Sequence, residues 1–158
     1  MKIIYNLIKF LFLMTFLQSI LFSSELDSYV IKNKKIRLFN KLNEAFMRED
    51  DNRIYKIYLR LASLYKTNGE YYKAVSYYKL ALKLYLSLFK KKNYRQKLFL
   101  YKNIAFCYKK LGDVFQTFKY TYHAVKVAHI LYGKNSKIAK NLEKEASKIQ
   151  SRLIASSI

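Results

Sequence analysis

A chain of 158 residues has room for one domain or a short stack of repeats. Its 52% hydrophobic content places it among folded proteins, and the lack of proline with only 3 glycines argues against many short strands joined by tight turns. The formal charge of +21, from 31 basic and 10 acidic residues, favours anionic partners, whereas the richness in Lys, Asn, Ile, Tyr and Phe also fits an AT-rich coding sequence with Lys as its default surface residue.

The chain opens MKIIYNLIKFLFLMTFLQSILFSS, with Lys2 and Lys9 ahead of an apolar stretch and Ser23-Ser24 at its end. That order predicts a signal peptide over residues 1–24, cleaved after export or retained as an N-terminal membrane anchor. The expected location is outside the cytoplasm, periplasmic or membrane-associated if the source is bacterial. A leading helix and linker follow over residues 25–52, where Leu38, Leu42, Ala45 and Phe46 make a helical stripe. The acidic cluster after it supplies a cap for the next helix, at Asp51 or Asn52.

From residue 53 the sequence repeats itself. YLRLASLYKTNGEYYKAVSYYKLAL from Tyr58 matches YKNIAFCYKKLGDVFQTFKYTYHAV from Tyr101 with a shift of 43 residues. Tyr58, Leu61, Ala62 and Tyr65 fall at i, i+3, i+4 and i+7, and Tyr101, Ile104, Ala105 and Tyr108 copy them. Gly69 and Gly112 then stop the first helix of each copy where a left-handed residue is needed. Small Ala74 and Ala81 on the second helix allow close approach of the two backbones. In the second copy Thr117 and Thr121 replace the Ala and the aromatic expected there.

This pattern of aromatic, aliphatic, small residue, Tyr and Gly turn resembles the tetratricopeptide repeat (TPR) family, and the long repeat is similar to those of kinesin light chains. The resemblance implies an all-α, TPR-like helical-hairpin solenoid with a leading helix and a C-terminal capping helix. The repeat domain covers residues 53–158, with repeats at about 55–97 and 98–138 and a cap at 136–154. The extra length lies at residues 84–96, with its basic run Lys90, Lys91, Lys92 and Asn93. Glu145 stands where the family has Leu, which implies a wet-faced cap.

Family position further implies a concave groove lined by the first helix of each repeat. Its peptide-binding candidates are Lys56 and Arg60 from the first repeat, and Lys102, Asn103, Phe106 and Lys109 from the second. Lys66 and Phe99 occupy equivalent places, and the cap adds Lys140 and Lys144. Asn103, Lys140 and Lys144 resemble part of a carboxylate clamp, from which Leu59 and Ser63 depart. Lys79, Lys83 and Lys119 fall on second helices, outside that lining.

Catalytic patterns are missing. His123 and His129 are six apart on one helix, about 120° from a shared face, so they cannot ligate one metal together. Cys107, the lone cysteine, lies between Phe106 and Tyr108 and reads as a small core residue. Glu49, Asp50 and Asp51 lack the alternation and glycine of a calcium loop. No catalysis, cofactor or metal is expected. The expected partner is a protein or peptide, acidic or extended. An anionic membrane surface is the alternative, with nucleic acid behind it, and two and a half repeats leave an end that homo-oligomerisation would cover.

Overall fold

The computed structural model describes the backbone of residues 2–88 and 94–155, and their side chains except at 2–13, 17, 20, 21 and 24. The basic run from Lys90 to Asn93 therefore lies outside the described residues. Every described element is a helix: α1 (Lys2–Met47), α2 (Asp51–Thr67), α3 (Tyr71–Leu88), α4 (Tyr94–Lys110), α5 (Val114–Tyr132) and α6 (Lys137–Ala155). The chain divides into two compact units, Met1–Asn40 and Lys41–Ile158.

The first unit is helix throughout its described length. No glycine or proline interrupts the run, so the helix passes through Ser23 without a break. Among the residues whose side chains are described, no helix is long and apolar enough to cross a membrane; residues 3–13, where the apolar stretch begins, lie outside that set.

The second unit starts with the last turns of α1, where Leu42 and Ala45 are buried. This helix ends on Glu49, held at a left-handed φ of 54°. Asp50 N–H donates to the Ala45 carbonyl and Glu49 N–H to that of Phe46, a Schellman closure without glycine. The chain thus re-enters helix one residue earlier than the sequence suggests. Asp50, not Asp51 or Asn52, caps α2, accepting from the Arg53 backbone N–H at 2.9 Å.

Two further Schellman closures end the first helix of each hairpin. Gly69 and Gly112 sit at φ of 76° and 77°, and the residue after each donates to the Tyr65 and Tyr108 carbonyls respectively. Asp113 caps α5 through the Gln116 N–H, and Ser136 caps α6 through that of Ala139. These short, tightly bonded turns fold α2 on α3 and α4 on α5, and each helix from α2 to α6 packs on the next. Consecutive contact of this kind is the mark of a helical repeat stack.

Small residues make the contacts close. Ala62, Ala74 and Ala81 are fully buried in the first hairpin, and Ala124, Ala128 and Ala139 in the second and its cap. A tyrosine triad, with one stacked and one tilted pair, flanks each hairpin. Tyr77 packs on Tyr58 and Tyr65 at 6.0 and 5.5 Å between centroids, and Tyr120 on Tyr101 and Tyr108 at 6.2 and 5.7 Å. Both threonines of the second hairpin are buried, and Thr117 Oγ1 donates to the Asp113 carbonyl at 2.6 Å, which offsets the burial of its hydroxyl. The cap packs through Leu142 and Ala146 into the cluster that holds Leu98, Val125 and Val127.

Candidate binding groove

Helices α2 and α4, the first helices of the two hairpins, and the cap α6 bound a cleft of about 520 Å³. Its floor is α4, which contributes Arg95, Leu98, Phe99, Lys102, Asn103, Ala105, Phe106 and Lys109. Lys66 of α2 and Leu142 with Glu145 of α6 form the walls, over Thr121 and Ala124 of α5. Helical periodicity explains the floor. Leu100, Ile104 and Cys107 bury one stripe of α4, which turns the residues of the opposite stripe towards solvent.

Four of the six residues expected in the groove come together here: Lys102, Asn103, Phe106 and Lys109. Lys56 and Arg60 are exposed on α2 and are not among the lining residues. Neither are Lys140 and Lys144, exposed on α6.

Asn103 is the organising side chain. Its Oδ1 accepts from Lys66 Nζ at 2.7 Å and from the Tyr78 hydroxyl at 3.3 Å, while its Nδ2 donates to the Phe99 carbonyl at 2.8 Å. An ammonium can only donate, which fixes the orientation of the amide. The result is a cation tied across from one wall to the floor. Lys66 and Lys110 also lie over the Phe106 ring, at 5.7 and 5.8 Å from its centroid. On the other wall Glu145 Oε1 meets Lys109 Nζ at 3.3 Å. The lining therefore carries Lys66, Arg95, Lys102 and Lys109 against a single carboxylate. Low-dielectric walls focus such a field towards anions.

Sequence reasoning overlooked Arg95 and the role of Glu145. Arg95 corresponds to Asn52 in the first repeat, at a helix start, so the repeat offered no precedent for a groove cation. Lys79 is likewise no bystander. Its Nζ donates to the Tyr108 hydroxyl at 2.7 Å and lies over the rings of Tyr108 and Tyr120.

Cys107 is buried, and burial pushes its thiol up to about 11. His123 stacks on Tyr101 at 5.1 Å, and burial followed by Lys126, Lys119 and Lys97 holds its pKa below the usual value. His129 Nε2 pairs with Glu143 Oε1 at 2.7 Å, joining α5 to α6, a partner too distant in sequence to foresee. Among the described residues no three His, Cys, Asp or Glu gather in a way that holds a metal ion.

No protein-family model matches the chain, and no curated protein matches it. Among solved structures, the crystal structure of BtubC (BKLC) from P. vanneervenii is similar, with a TM-score of 0.54 at 23% sequence identity. The likeness covers 65% of this chain and 40% of that one. It shows a shared fold, in which consecutive helical hairpins stack into an all-α repeat array.

Proposed function

We propose that this chain is an exported, non-catalytic scaffold with kinesin-light-chain-like TPR repeats, and that its α2–α4–α6 cleft holds an acidic, extended peptide. The observation that carries the reading is the cleft itself, which sets four cations and the Phe99 and Phe106 rings on one concave surface. Cations supply charge-assisted hydrogen bonds to carboxylates, and rings supply apolar contact between them. Repeat stacks of this fold present extended concave surfaces that suit such ligands.

The test compares cations inside and outside the cleft, using a fluorescein-labelled peptide of alternating Asp and Leu read by anisotropy. Lys102→Ala removes one groove cation and weakens binding by about 1 to 3 kcal/mol, the cost of a lost charge-assisted hydrogen bond. Lys119→Ala and Lys126→Ala remove the same charge from exposed places on α5, and each costs less than about 0.5 kcal/mol. Lys79→Ala is unsuitable as a control because its ammonium supports the second tyrosine triad. Equal losses at all three positions, scaling with salt, would replace the peptide groove with an electrostatic binder of anionic membrane or nucleic acid.

A further inference from the structure

The floor of the cleft has a regular order. Arg95, Phe99, Lys102, Phe106 and Lys109 follow one another at steps of four, three, four and three residues. All five line the cleft, and with Lys110 they are the exposed residues of α4. Steps averaging close to the helical repeat keep them on one face. Cations and rings therefore alternate along a single row. Successive cations are seven residues apart, which is about 10.5 Å at the rise of an α-helix, and the row runs about 21 Å.

That spacing discriminates between ligand conformations. The groove reading calls for an extended ligand, so the axial repeat decides among extended conformations. In a β-strand, residues i and i+3 point to opposite faces. Polyproline II returns to the same face every third residue with a rise of about 9.3 Å per turn. The long stems of Lys and Arg absorb the remaining difference of about 1 Å. At the last rung Glu145 of α6 already occupies Lys109 at 3.3 Å.

Resting on the peptide-groove reading, we propose that the partner presents an acidic side chain at every third residue of a polyproline-II-like segment, and that Glu145 holds the third cation until a partner carboxylate displaces it. The first two acidic groups meet Arg95 and Lys102, and the apolar residues between them cover Phe99 and Phe106. Glu145 thereby sets how many acidic residues the cleft reads.

The full chain is titrated with three labelled peptides of identical length and composition, whose Asp residues stand at every third position, at alternate positions, or in one block. The period-three peptide binds about tenfold tighter than the other two, the gain expected when spacing lets a second charge pair form. Glu145→Gln frees Lys109 and tightens a three-Asp peptide about fivefold, as release of an exposed ion pair allows, while a two-Asp peptide is unchanged. Equal binding of the three arrangements, or no gain on Glu145→Gln, overturns the spacing proposal. In that case Lys102→Ala still weakens binding more than Lys119→Ala if the groove reading holds. Loss of that contrast, with single-stranded oligothymidylate or phosphatidylglycerol vesicles bound more tightly than any peptide, overturns the groove as well.

Discussion

Cys107 illustrates how much of the chemistry is decided by where a side chain is buried. The thiol is enclosed on the core stripe of α4, and burial lifts it to about 11, with Lys66 pulling weakly in the opposite direction. Its reactive thiolate is therefore absent near neutral pH. Iodoacetamide at pH 8 should leave the folded protein unmodified and label it fully in denaturant; rapid labelling of the native state would mean that α4 does not bury this face. The same shift gives a pH dependence of fixed sign. The folded pKa is raised above the unfolded value near 9, so the native state favours the neutral thiol. The associated stability is fully present below about pH 9 and is lost as pH rises towards 11. Urea midpoints of the native protein and of Cys107→Ala should therefore converge over that window. Asn103 makes a complementary point. Its amide is bonded to Lys66, Tyr78 and Phe99, so it holds the Lys66 ammonium over the floor of the cleft.

At the scale of elements, turns and small residues set the register. Gly112 has φ of 77°, and a Cβ added there meets nothing within 4 Å. The cost of Gly112→Ala is thus one of backbone conformation alone, about 1 kcal/mol, and Gly112→Asn costs less because Asn enters this region more readily. Thermal melts of the two variants should fall in that order. Ala81 is fully buried in α3, where Ala81→Arg forces both volume and charge into an apolar layer and should cost several kcal/mol or unfold the chain. An unchanged melting temperature would remove the hairpin register. The hairpins were legible in the sequence because their signals are local: the stripe from Tyr58 to Tyr65, its copy from Tyr101 to Tyr108, and a glycine four residues after each. The cleft was legible only in part. Lys66 meets Asn103 across 37 residues and Lys109 meets Glu145 across 36, pairings that arise when one hairpin stacks on the next and leave no mark in the sequence near either partner. Glu145 read as a mere loss of the family's Leu, although its carboxylate turns to the groove cation beside it.

For the molecule as a whole, the net charge of +21 and the apolar N-terminal segment make separate demands on the surroundings. Charge of one sign and this size opposes self-association and favours encounter with anions. The N-terminal segment has the opposite character. Met14, Phe16 and Phe22 are 42%, 57% and 70% exposed on α1, and Leu26 and Tyr29 add to them. Large apolar side chains gathered along an exposed helix are a liability in water unless a membrane or partner covers them, or the segment is removed. The basic start, apolar middle and Ser23-Ser24 end match the order read by export machinery. Under the export proposed above, cleavage or retention in the bilayer would resolve this liability. Mass spectrometry of the protein from its native cells should find a new N-terminus between Ser23 and Asp27, or else an intact chain confined to the membrane fraction. A chain that keeps Met1 and stays free in the cytoplasm at native expression would refute export, and the proposed peptide partner would then have to be sought inside the cell.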